Sequence, residues 1–223
     1  MNAAADFTLY PADRDRSAAP VFLLLGESEE AADLAAKVRG LTEKPFTLAD
    51  IPVEDWDAAL SPWPAKAVFK GENDFAGGGD ATLAHIRSDV IPAIRESLSA
   101  PDAPMWIVGY SLAGLLAVYA LYRLPELAGA VCCSGSLWFP GFVDYAGSHA
   151  LAGSPQRVYL SLGDREKKSR NPVLSRVEDC TLALRELLEN SGVTCTFVPE
   201  PGNHFQDPAG RLARGIGWCL GSD

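Results

Sequence analysis

The chain has 223 residues and a mass of 23.8 kDa, about one and a half typical domain lengths, so one large domain spanning 1–223 is expected. Hydrophobic residues make up 48% and charged residues 22%, with 20 Gly and 16 Pro, which excludes disordered, collagen-like and disulfide-scaffold classes. Nineteen basic against twenty-nine acidic residues leave a net charge of −10, a surface that repels phosphate backbones and anionic lipid headgroups; nucleic acid and membrane partners are not expected.

In chain order, residues 7–10 form a candidate edge strand. Short apolar runs at 21–25 (VFLLL), 47–51 (TLADI), 105–108 (MWIV), 130–133 (AVCC), 158–162 (VYLSL) and 194–198 (TCTFV) predict strands buried on both faces. Helical patterns lie between them at 29–39, 82–99, 112–124 and 174–190, and 211–220 reads as a closing helix. The alternation predicts a three-layer α/β fold: a mainly parallel sheet of about six strands, helices on both faces and right-handed crossovers. The uncharged stretch 103–122 has the length of a membrane span, but its internal Gly-Tyr-Ser and Leu-Ala-Gly steps divide it into a strand and a buried helix.

Two connections are long. Residues 52–80 carry Trp56, Trp63 and the run Gly77-Gly78-Gly79, and residues 139–153 read FPGFVDYAGSHALAG. Both follow strands at the carboxyl end of the sheet, where ligands of open parallel sheets bind. The five cysteines are odd in number and two are adjacent, Cys132 and Cys133, so reduced thiols are expected. The N-terminus has no basic region before an apolar run, and a cytoplasmic location follows as an expectation.

The segment MWIVGYSLAGLLAVYALY joins an apolar strand to an apolar helix through Gly109-Tyr110-Ser111-Leu112-Ala113, the pattern of a nucleophile elbow. Small residues two before and two after the serine let strand and helix approach closely, and here they are Gly109 and Ala113. The Ser111 hydroxyl then projects above the sheet, and the Leu112 N–H points where an oxyanion would form.

A serine nucleophile needs a base, and the chain has three histidines. His85 precedes the serine within a helical pattern, and His149 lies in the 139–153 connection. His204 follows the last strand in PEPGNHFQDP, and it alone satisfies the order serine, acid, histidine with a strand-terminal acid between. The acid should follow strand 158–162, in SLGDREKK. Placement three residues after the strand-terminal glycine selects Glu166 ahead of Asp164, while either carboxylate could orient the imidazole and a serine–histidine dyad stays open. Arg165, Lys167, Lys168 and Arg170 form a basic island that either attracts an anionic substrate group or is a solvated loop. A second oxyanion donor is expected from Gly26 or Glu27 after the first apolar strand. Tyr110, Trp138 and Phe139 are candidate pocket residues, the last two with core packing as the alternative.

Other chemistries find no support. The chain has no HExxH, CxxC pair, Walker loop or strand-to-helix GxGxxG, so no metal, nucleotide or other cofactor is expected. GYSLAG, SGSLWFPGF, GDRE and PGNH together resemble the bacterial esterase branch of the α/β-hydrolases that includes esterase D-like enzymes and trilactone siderophore esterases. The resemblance implies cofactor-free serine hydrolysis of a small-molecule carboxylic ester through an acyl-enzyme. A thioesterase or acyltransferase with the same site, or a non-catalytic binding module, is the alternative.

Overall fold

The structure, a computed structural model, describes residues 7–11, 19–26, 31–68, 71–98 and 101–221. Its strands and helices follow in the order β1 Thr8–Tyr10, β2 Val21–Gly26, α1 Ala31–Leu41, β3 Thr47–Pro52, α2 Trp56–Ala59, β4 Pro64–Ala65, β5 Phe75–Ala76, α3 Gly79–His85, α4 Ile91–Leu98, β6 Met105–Tyr110, α5 Ser111–Ala120, β7 Leu127–Cys133, α6 Phe142–Ser148, β8 Arg157–Gly163, α7 Val177–Asn190, β9 Thr194–Glu200 and α8 Pro208–Cys219.

The sheet order is β1-β3-β2-β6-β7-β8-β9. The six strands from β3 to β9 are parallel, as the continuous apolar runs require when both faces are covered. β1 adds a seventh strand, antiparallel to β3 with Thr8 opposite Asp50, at an edge where a half-exposed strand can sit. Alternate residues of β2 divide between the layers. Val21, Leu23 and Leu25 face a core shared with Ile86, Ile94, Leu115, Leu184 and Leu188, whereas Phe22 and Leu24 face Leu34 and Val38 of α1 and Leu212 and Ile216 of α8. Each such side chain contributes roughly 1.5–3 kcal/mol on burial.

Chain order reverses between β2 and β6, since β3 lies on one side of β2 and the later strands lie on the other. That switch point opens a crevice at the carboxyl ends of β2 and β6, which are Gly26 and Tyr110. α5 leaves β6 there, and every residue from Leu112 to Ala120 is buried, so its all-round apolar character belongs to a central helix. Among the described residues no helix is long and apolar enough to cross a membrane.

The expected helix over 82–99 is two helices, α3 and α4, separated by a π-helical turn at Ile86–Val90 in which Ile91 N–H bonds Ile86 O. Pro92 follows directly; it has no N–H to donate, and its ring needs space against the preceding turn. The segment 52–80 contains α2 and a small β4–β5 ribbon, and 139–153 contains α6, so neither is a plain loop. Trp63 joins them: its Nε1 donates to Pro140 O at 3.0 Å, and its ring packs on Phe139, Phe142 and Tyr145.

Candidate active site

β6 ends at Tyr110 and α5 begins at the next residue, so Ser111 makes the turn alone, with φ +55°. This left-handed conformation costs a residue with a Cβ on the order of 1–3 kcal/mol, and the packed strand and helix on either side hold it. A Cβ on Gly109 would lie 2.2 Å from Ala113 O, so only glycine permits this approach of β6 to α5. The Ala113 methyl is itself buried without difficulty. Ser111 O accepts Ser136 N–H at 3.0 Å, which fixes the elbow to the loop after β7. Leu112 N–H lies in the first turn of α5, where amides have no intrahelical acceptor. Gly26 borders the same cleft as Ser111; Glu27 lies outside the described residues.

His204 sits between β9 and α8, whose start is capped by the Asp207 carboxylate and entered through Pro208. Its Nε2 is 3.1 Å from Ser111 Oγ, and its Nδ1 is 2.8 Å from Glu166 Oε2. An ionised carboxylate only accepts, so Nδ1 carries the proton and the Nε2 lone pair faces the serine hydroxyl. Glu166 opens a short 3₁₀ turn after β8, with its side chain 6% exposed. Its Oε1 accepts Gly163 N–H at 2.7 Å, Ser134 Oγ–H at 2.7 Å and Arg211 Nη1–H at 3.2 Å. Burial pushes this carboxyl up, but the bonds from His204, Ser134 and Gly163 outweigh it and hold it below its ordinary value. Asp164 does not reach the histidine. It is exposed, and its Oδ1 accepts Gly202 N–H at 2.9 Å in the loop that carries His204.

Three further residues complete this network without having been singled out for that role in the sequence. Arg211 of α8 is fully buried and donates to Glu166 Oε1, to Ser134 Oγ at 2.8 Å, to Tyr110 OH at 3.1 Å, and to the carbonyls of Pro201 and Asn203 at 3.1 and 3.0 Å. One guanidinium thus grips the acid and both sides of the histidine loop. Tyr110 OH donates to His204 O at 2.6 Å, and Ser134, with φ +46° directly after β7, turns its hydroxyl onto Glu166. The available signal was an arginine inside the apolar face of a helix next to Leu212, where a buried cation needs a buried partner.

Two clefts meet at Ser111 and His204. One, of about 430 Å³, is lined by Leu24, Leu25, Leu34, Trp56 and Leu212 together with Gly26 and Tyr110. The other, of about 550 Å³, is lined by Trp138, Leu174, Val177, Arg165 and Lys168 together with Ser136. Trp138 therefore borders the site. Phe139 does not: it is buried among Trp63 and Phe75, so its pocket assignment is corrected to core packing, because those two rings cover it. His85 pairs with Asp89 along its own helix, and His149 stacks on Tyr145; neither borders a cleft with Ser111. All five cysteines are free, and Cys132 and Cys133 are buried in β7 with thiols pushed up by desolvation.

No family model matches the chain. In sequence it is 27% identical over 137 residues to the uncharacterized protein YbbA of Bacillus subtilis, an alignment covering 60% of this chain and 55% of that protein, so the match spans about half the length of that relative. In structure it superposes on an IroE-like serine hydrolase from Shewanella oneidensis with a TM-score of 0.78 at 19% identity, over 96% of this chain and 75% of that one. It also superposes on the siderophore hydrolase EstA from Aspergillus nidulans, with a TM-score of 0.70 at 17% identity over 99% and 96% of the two chains. These likenesses establish the α/β-hydrolase fold.

Proposed function

We propose that this protein is a serine hydrolase of small-molecule carboxylic esters, with Ser111 as nucleophile, His204 as general base and Glu166 as the acid that orients it. The observation that carries the reading is the unbroken hydrogen-bond chain from Ser111 Oγ through the imidazole to Glu166, mounted on a strained turn at the junction of two clefts. The names of the two structural neighbours, a serine hydrolase and a siderophore hydrolase, support the same reaction class.

In this mechanism Ser111 Oγ attacks the ester carbonyl carbon as its proton passes to His204 Nε2. Negative charge gathers on the former carbonyl oxygen, facing the Leu112 N–H at the start of α5 and the backbone at Gly26. His204 returns the proton to the departing alkoxide, releasing the alcohol and leaving Ser111 acylated. A water molecule then attacks the acyl carbon, giving its proton to His204, and the acid leaves as Ser111 recovers its own. Glu166 stays ionised throughout and stabilises the imidazolium, a role suited to a carboxyl held below its ordinary value.

The test is hydrolysis of a panel of short- and long-chain 4-nitrophenyl esters and matching thioesters by the wild type and Ser111→Ala. Ester turnover that disappears in Ser111→Ala supports the reading. Turnover retained by Ser111→Ala, or none with any ester, overturns it, and a strong thioester preference moves it to a thioesterase.

A further inference from the structure

The two clefts at Ser111 differ in charge. Among the described residues, the cleft bounded by β2, α1 and α8 is lined by Leu24, Leu25, Leu34, Trp56 and Leu212 and by no ionisable side chain other than Tyr110 and His204 themselves. The cleft on the Glu166 side has an apolar floor of Trp138, Leu174 and Val177 and two cations at its wall, Arg165 and Lys168. Two other basic residues nearby are paired with carboxylates: Lys167 with Glu178 at 2.7 Å, and Arg214 with Glu200 and Asp207. Arg165 and Lys168 make no side-chain ion pair or hydrogen bond among the described residues. Among the described residues the one carboxylate lining that cleft, Glu166, is already held by His204 and Arg211. The wall is therefore net positive on a chain whose overall charge is −10.

Position on the backbone makes these cations part of the site. Arg165 N–H donates to Gly202 O at 3.0 Å and Lys168 N–H to Arg165 O at 3.0 Å, so both residues ride on the turn that presents Glu166 and are tied to the loop that presents His204. Phe205, 84% exposed, borders both clefts and stands where a substrate entering either would cover it. A cationic fork beside an apolar floor recognises an oxyanion on an apolar body.

We infer that the substrate is an asymmetric ester, with an apolar group on one side of the scissile bond and an anionic oxyacid group, carboxylate or phosphate, on the other, held by Arg165 and Lys168. This inference rests on the hydrolase reading above and extends it to substrate class.

The experiment compares kcat/KM for matched esters. For the alcohol side, these are the butyrate esters of 4-hydroxybenzoate and 4-hydroxyphenylphosphonate against that of neutral 4-hydroxybenzamide. For the acyl side, ethyl hydrogen suberate is set against ethyl suberamate. In one of the two series the anionic ester is expected to be preferred by about tenfold or more, the scale of one charge-assisted hydrogen bond at a half-open site. The carboxylate and phosphonate arms tell the two oxyanion sources apart. The preference should fall toward one in Arg165→Ala/Lys168→Ala, in which the Arg165 backbone bond to Gly202 is retained, and in high salt. It should persist in Lys37→Ala, a basic residue of α1 that pairs with Asp33 instead. Hydrolysis of the neutral esters with no anion preference in either series, or a preference that survives the double variant, overturns the inference and leaves the hydrolase reading standing. Failure to hydrolyse any of the esters overturns both.

Discussion

Arg211 Nη1 donates to Glu166 Oε1 at 3.2 Å, on the carboxylate oxygen opposite the one that meets His204. Both side chains are almost fully removed from water, at 1% and 6% exposure, so each charge depends on the other. Removing one member of such a pair costs about 3–5 kcal/mol because the survivor stays buried and uncompensated. Glu166 has its carboxyl held below the ordinary value of 4.5, so its contribution to stability is complete above that value and is lost as pH falls through the depressed one. Glu166→Gln should therefore be less stable than the wild type in urea unfolding at pH 7, with the gap narrowing below about pH 4.5. A gap independent of pH would show that Glu166 is not ionised in the folded protein.

The acid itself is tested by two isosteric changes. Glu166→Gln removes the charge that stabilises imidazolium and should lower kcat steeply, by up to ~10⁴-fold on the precedent of the protease triad. Asp164→Asn keeps an acceptor for Gly202 N–H and should cost less than about tenfold, or roughly 1.4 kcal/mol. Steady-state kinetics on one good ester decide the ranking. The reverse order would name Asp164, and two mild effects would leave a Ser111–His204 dyad.

At the elbow, Gly109→Ala should be severe, since the added carbon meets the backbone of Ala113 and Gly114 rather than a movable side chain. We expect loss of esterase activity together with a fall in thermal midpoint of several degrees. Ala113→Gly only removes a methyl group from the helix start, and about 1 kcal/mol bounds its effect. Equal behaviour of the two variants would mean that the close approach of β6 and α5 does not hold the serine.

The layered fold was legible because its strands are short apolar runs and its helices carry matching stripes, signals that survive without tertiary context. Ser111, His204 and Glu166 could be proposed because elbow, turn and strand-terminal spacing are local, and chain order limits the choice. Arg211 could not be assigned a role this way, since its partners are 45 residues away at Glu166 and 101 away at Tyr110. Phe139 reads equally as pocket or core in sequence, and only the packing of Trp63 against it decides. The turn at 86–90 escaped because a single proline shifts the hydrogen-bond register without disturbing the apolar period.

The central claim, that Ser111 is a nucleophile activated by His204, is tested most directly by intact-mass and peptide mapping after reaction with a fluorophosphonate, which phosphonylates an activated hydroxyl with loss of fluoride. A single adduct on Ser111, formed rapidly in the wild type and slowed by orders of magnitude in His204→Ala, is the predicted result. An adduct on Ser134 or Ser136, or labelling of Ser111 at the same rate without His204, would contradict it.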